Sequence, residues 1–269
     1  MILRTLAYAD VFDYPLTAKE IGKYAIAPIQ PIKLSEKRRY FYLPGREKIV
    51  RLRKAREKWS GKKLKIAKKV ATWLKVIPWI KMVGITGALA MQNSPGEDDI
   101  DVLIVTAKKR LWLTRFLAVL LIEALGRRRR PRERTFRDKI CLNMFLSEEK
   151  LAVPAREQNL YTAHEVAQVR KIWDRGDLYR RFLQANEWVK EYLPNIQISK
   201  RSDVQEGSRR WIIGDVLERI ARRIQWQYMK NGITKEKISE MRLMFHPNDL
   251  SQKTLRRYKK ALDKLGATD

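Results

Sequence analysis

Two carboxylates stand two residues apart at the start of an apolar run, Asp99-Ile100-Asp101 before Val102-Leu103-Ile104-Val105. Side chains i and i+2 of a strand point to one face, so Asp99 and Asp101 project together while Ile100 turns away. Ionised acids placed in this way repel unless a cation sits between them, and an unpartnered carboxylate is expensive to bury. Mg²⁺ suits the position: it binds hard oxygens, takes one or two carboxylates and leaves its other sites to water and phosphate. Mn²⁺ can take its place. Upstream, Thr86-Gly87-Ala88 lies where an apolar strand turns into a helix. Glycine lets backbone approach a phosphate, and a helix start offers free amides. A phosphate cradle followed by two metal-binding acids is the layout of a phosphoryl-transfer site.

Alternation and periodicity supply the elements that would position these groups. Residues 79–85 read as a strand, 87–92 as a helix start, 94–99 as a loop, 100–106 as a strand and 109–125 as a helix. A basic loop, 126–134, leads to a strand over 138–146, giving an α/β unit with a mixed sheet. Ahead of it, residues 2–12 fit a helix that Asp13-Tyr14-Pro15 breaks. Thr17 and Glu20 form a capping box for a short helix to about Tyr24, and Tyr40–Leu43 reads as a strand stopped by Pro44-Gly45. Helix, capped helix, then hairpin is the order of a winged helix with its recognition helix missing or very short. Residues 46–76 are helical and very basic, with a break at Ser60-Gly61. After Leu151 apolar periodicity predicts helices over 159–173, 178–193 and 209–230, a linker over 195–208, and a terminal helix over 245–266 that Asn248 or Asp249 caps. The fold class is α+β. A winged-helix-like segment (1–45) and a basic helical connector (46–77) precede a small mixed-sheet core (78–150) and a C-terminal helical domain (151–269).

Gly84-x-x-Gly87-Ala88, a gap, then Asp99-x-Asp101 before an apolar strand resembles the DNA polymerase beta-like nucleotidyltransferase superfamily. The chain is most similar to its small bacterial and archaeal members of unassigned role. ADVFDYPLT (9–17), YFYLPGRE (40–47), RDKICLNMFL (137–146), ANEWVKEYLPN (185–195) and FHPND (245–249) extend the likeness along the chain. The resemblance implies a nucleotidyltransferase core over 78–150 and transfer of a nucleoside monophosphate from an NTP to an acceptor. Thr86, Gly87 and Ala88 would meet the nucleotide, and Asp99 and Asp101 would hold Mg²⁺. Ala88 stands where the superfamily usually has Ser. The third carboxylate, expected on a later strand, has no obvious counterpart: Asn143 is the best-placed polar residue, with Asp138 at the strand's start. Asn cannot act as a general base.

The charge points to polyanions. Lys and Arg number 58 against 30 Asp and Glu, a net charge of +28, which favours nucleic acid through counterion release. Arg127, Arg128, Arg129 and Arg130, with the basic helices before residue 70, are the expected phosphate contacts. One cysteine and two histidines exclude a disulfide framework and a Cys- or His-cluster metal site. Cys141 reads as an inert strand residue, His164 as a helix-surface or core-edge residue, and most tryptophans as core. Residues 111–125 are too short, and with Arg115 and Glu123 too charged, to span a bilayer. Without a secretory signal pattern at Met1, the expected compartment is the cytoplasm. Two functions are therefore carried forward. One is a Mg²⁺-dependent nucleotidyltransferase with an NTP and an unknown acceptor, RNA or DNA among the candidates. The alternative is a catalytically impaired protein of that fold acting as an RNA- or DNA-binding module.

Overall fold

The computed structural model describes residues 2–27, 39–130, 133–199, 212–230, 237–244 and 250–267. Two helices open the chain, α1 (Ile2–Asp10) and α2 (Ala18–Lys23), followed by the long α3 (Lys48–Leu74). The expected core comes next: β1 (Ile80–Ile85), α4 (Gly87–Ala90), β2 (Ile100–Thr106), α5 (Leu111–Ala124) and β3 (Ile140–Ser147). Then come α6 (Leu160–Gln168), β4 (Arg170–Asp174), α7 (Leu178–Ala185), α8 (Val189–Tyr192), α9 (Ile212–Met229), β5 (Lys237–Ile238), β6 (Arg242–Met244) and α10 (Leu250–Lys264). The strands form one mixed sheet in the order β4-β1-β2-β3-β6-β5, in which, among the described residues, only the β2–β3 pair is parallel. No helix among the described residues is long and apolar enough to cross a membrane.

The period of two along β2 sorts its side chains onto two faces. Ile100, Val102 and Ile104 join a core with Leu64, Leu74, Trp112 and Ile122, from α3 and α5. Leu103 and Val105 join a second core with Tyr8, Ala163, Phe182, Val189 and Tyr258, from α1, α6, α7, α8 and α10. The sheet thus lies between two helical layers. Asp101 precedes Leu103 by two, so it belongs to the face covered by α1 and α6. Fully burying each large aliphatic side chain contributes about 1.5–3 kcal/mol, enough for these two cores to fix the strand register and the direction of the acids.

Helix α3 runs unbroken through Ser60-Gly61, against expectation. Its side chains there grip the loop that carries the acids. Ser94 N–H donates to Ser60 Oγ (3.2 Å), and Gly96 packs so closely on Trp59 that an added Cβ would lie 3.2 Å from the indole. Lys63 is wholly buried and donates to Asp98 O (2.5 Å) and Asp138 Oδ1 (3.0 Å). A lysine on a helix expected to contact phosphate is therefore an internal clamp. Arg53, also buried, ties α3 to the N-terminal helices through Glu20 (2.8 and 2.9 Å) and lies 4.2 Å from the Tyr14 ring centroid.

The capping box at α2 forms as expected: Glu20 N–H donates to Thr17 Oγ1 (3.3 Å) and Thr17 N–H to Glu20 Oε2 (2.8 Å). The expected strand at 40–43 is reduced to one bridge, Leu16 with Phe41, so no hairpin wing exists among the described residues. Residues 170–173, read as the end of a helix, belong to β4, which pairs antiparallel with β1. The stretch after Leu151 therefore adds strands to the sheet as well as helices. Its second predicted helix is split at Asn186, whose buried side-chain amide donates to Leu151 O (2.9 Å) and Phe182 O (2.8 Å). Among the tryptophans Trp112 is buried, whereas Trp73 and Trp226 are exposed.

Candidate active site

Gly87 begins α4 directly after β1, with φ +61°, a left-handed value that favours glycine. A Cβ built on it would lie 2.9 Å from Asp101 Oδ2. The bend and the acid therefore touch. Thr86 N–H donates to Asp101 O (3.1 Å), so this amide of the expected phosphate cradle is engaged by the sheet. The Thr86 hydroxyl is buried and has no hydrogen-bond partner among the described residues. Ala88 is exposed on the turn.

Asp99, Asp101 and Cys141 bring one potential ligand atom each to within 4.8 Å of one another. The β2–β3 register makes this meeting, because Asp101 faces Cys141 across the parallel pair. Burial and the charges of Asp101 and Asp99 push the Cys141 thiol well above its usual range, which keeps it neutral. That leaves two carboxylate oxygens, a donor set that fits a hard cation such as Mg²⁺ and not a thiophilic one. In its present partnership, Asp99 Oδ2 accepts from Arg129 Nη1 at 2.5 Å, and its side chain is only 10 % exposed. Arg129 also sits over the Phe136 ring, 4.7 Å from its centroid; burial lowers its pKa, but the charge and hydrogen bond of Asp99 help to raise it above the ordinary value. Of the four arginines expected to meet phosphate, Arg129 alone reaches the acid pair. Arg128 and Arg130 bind Glu123, and Arg127 is exposed. Beyond them in the basic loop, residues 131 and 132 lie outside the described residues, as do His246 and the FHPND segment.

Asn143 reaches the same region by an irregularity. The register runs from Asp101 opposite Cys141 to Leu103 opposite Met144, so β3 spends one residue more than β2. This bulge turns Asn143 and Met144 together into a cavity of about 860 Å³. Thr86, Gly87, Ala88 and Asp101 line it too, and its walls come from β2, β3, α1 and α6.

Glu165 on α6, which the sequence reading passed over, also lines this cavity. Desolvation first, then the charge of Asp101, raises its pKa to about 7. One residue before it, His164 is a core histidine: it stacks on Tyr8 (centroids 4.0 Å apart, planes 12° apart), and burial lowers its pKa to about 3. The chemistry available at the site is thus two adjacent acids with a tight glycine bend, and a third acid across the cavity. The chain matches no family model, no curated protein and no solved structure.

Proposed function

We propose that the protein is a Mg²⁺-dependent nucleotidyltransferase that moves a nucleoside monophosphate from an NTP to an acceptor hydroxyl. The observation that carries this reading is the contact between Gly87 and Asp101 beside Asp99, at the wall of a cavity of about 860 Å³. Small-molecule sites occupy roughly 300–1,000 Å³, so the cavity has room for a nucleotide. Asp99 and Asp101 would hold the ion, which when bound neutralises phosphate charge. Gly87, with no side chain, lets a phosphate approach the acids. Arg129 would exchange Asp99 for a phosphate oxygen, its guanidinium fork matching either anion. The test is Mn²⁺-dependent NTP binding and transfer of label from an NTP radiolabelled at the α-phosphate. Asp101→Asn should abolish both, and label transfer that survives this change removes the reading.

The Arg129–Asp99 ion pair also supports a second reading, in which a guanidinium has replaced the metal and the basic surface binds RNA or DNA without chemistry. That reading expects nucleic-acid affinity that falls steeply with salt and survives Asp99→Ala.

A further inference from the structure

The cavity is a locally acidic place in a strongly basic protein. The chain carries +28 overall, yet the described residues that line the cavity include three acids, Asp101, Glu157 and Glu165, against two arginines, Arg156 and Arg242. Arg242 is held by Glu157 at 2.8 Å, with both side chains 11 % exposed. Arg156 is exposed at the surface. A groove for a polynucleotide needs the opposite, a basic track with aromatic platforms. The rest of the lining mixes polar side chains such as Asn143 and Thr162 with an apolar majority that includes the rings of Tyr8, Phe12, Tyr24 and Phe182. Glu165 lines the same cavity as Asp101 and Tyr8.

Resting on the nucleotidyltransferase reading, we infer that the acceptor is a small uncharged alcohol with an apolar, ring-sized body, bound inside this cavity, and not a nucleic acid. The body lies against the rings of Tyr8, Phe12, Tyr24 and Phe182, where burial of apolar surface drives binding. The hydroxyl turns toward Glu165, which lacks a hydrogen-bond donor among the described residues and accepts from the ligand. With no metal ion or nucleotide bound, anions with the same body are disfavoured, because Asp101 and Glu165 meet them with like charge. In the transfer the alcohol oxygen bonds to the α-phosphorus. The bond from that phosphorus to the bridging oxygen breaks, its electron pair leaves on pyrophosphate, and the hydroxyl proton passes to the Glu165 carboxylate. The polycationic exterior plays no part in choosing this substrate.

The discriminating probes are 2-naphthol and 2-naphthoate, which share one body and differ in charge. Their affinities for the full chain are measured by equilibrium dialysis at physiological salt, without nucleotide. The inference expects 2-naphthol to bind at least about tenfold more tightly, since like-charge contact costs more than the 1.4 kcal/mol of one decade. A surface-driven interaction gives the reverse order in a protein of this charge. Ala152 is exposed and lines the cavity. Ala152→Trp should lower 2-naphthol affinity at least about fivefold with the thermal melt unchanged, and Glu165→Gln should let 2-naphthoate in. Equal or tighter binding of 2-naphthoate, or 2-naphthol affinity unmoved by Ala152→Trp, overturns the inference. A second arm offers 2-naphthol and an RNA oligonucleotide together with α-labelled NTP and Mg²⁺. Label on RNA overturns the choice of acceptor while leaving the nucleotidyltransferase reading intact. Selective 2-naphthol binding with no label on either upholds the cavity's ligand class and removes the nucleotidyltransferase reading.

Discussion

Gly87 and Asp101 occupy each other's space: a Cβ on the first would lie 2.9 Å from Oδ2 of the second. Two penalties therefore attend Gly87→Ala. The left-handed backbone at φ +61° disfavours alanine by about 1–2 kcal/mol, and the methyl pushes the carboxylate from its place. Displacements of this order cost about a hundredfold in rate. Gly126 separates the two effects, because it has φ +64° and open space around its Cβ position. Gly126→Ala should lower the melting temperature by a similar amount and leave nucleotide and Mn²⁺ binding intact, whereas Gly87→Ala should lose both. Equal behaviour of the two variants in the binding measurements removes the steric claim.

Lys63 holds the acid-bearing loop from beneath. Lys63→Met keeps the volume but strips Asp98 O and Asp138 of a buried donor. The expected loss is about 2–4 kcal/mol of stability in urea unfolding. Because Asp98 adjoins Asp99, Mn²⁺ affinity should fall at urea concentrations where the protein is still folded. Unchanged Mn²⁺ affinity means that the loop keeps its shape without the clamp.

The core of the site could be read from the chain because its parts are local. Alternation identified β1 and β2, and a glycine between a strand and a helix marked the bend. What escaped depends on distant packing. Glu165 follows His164 in an ordinary helical pattern, and nothing in that pattern says that α6 lies across the face carrying Asp101. RKIWD continues a helical periodicity, but the open edge of β1 takes it as a strand. The bulge that presents Asn143 arises from the mismatch in length between β2 and β3 and leaves no composition signal. Arg129 is indistinguishable from its neighbours in a run of four arginines until the fold brings it to Asp99. Lys63 lay on a helix expected to meet phosphate and Ser60 was expected to break it; burial against the 94–99 loop reversed both.

Arg129 and a metal ion compete for Asp99. The Arg129 side chain is 28 % exposed and that of Asp99 10 %, and a bridge at this margin of the solvent contributes about 1 kcal/mol. Arg129→Ala should therefore tighten Mn²⁺ binding about fivefold. If the guanidinium passes to the nucleotide, the same variant should bind NTP more weakly in the presence of saturating Mn²⁺. Tighter metal with unchanged NTP affinity favours the binding-module reading. Unaltered metal affinity shows that Asp99 is not the ligand.

Glu165 and His164 tilt stability in opposite directions with pH. The folded pKa of Glu165, about 7, exceeds the ordinary carboxylate value, so folding favours its protonated form. Its contribution is complete below about pH 4.5 and is lost as pH rises to 7. His164 is held neutral, with a folded value near 3 below the ordinary 6.5. Its contribution is present above pH 6.5 and is lost as pH falls toward 3. Between pH 4.5 and 6.5 the two slopes cancel, and the melting temperature of the unmodified chain in EDTA should vary little. Glu165→Gln removes one slope. Its melting temperature should exceed that of the unmodified chain by several degrees at pH 8, with the difference vanishing near pH 4.5 and an uncancelled rise between pH 4.5 and 6.5. A constant offset between the two chains across this range contradicts the desolvation of Glu165 and the influence of Asp101 on it. EDTA matters to the design because a cation on Asp101 would offset the charge that helps hold Glu165 protonated.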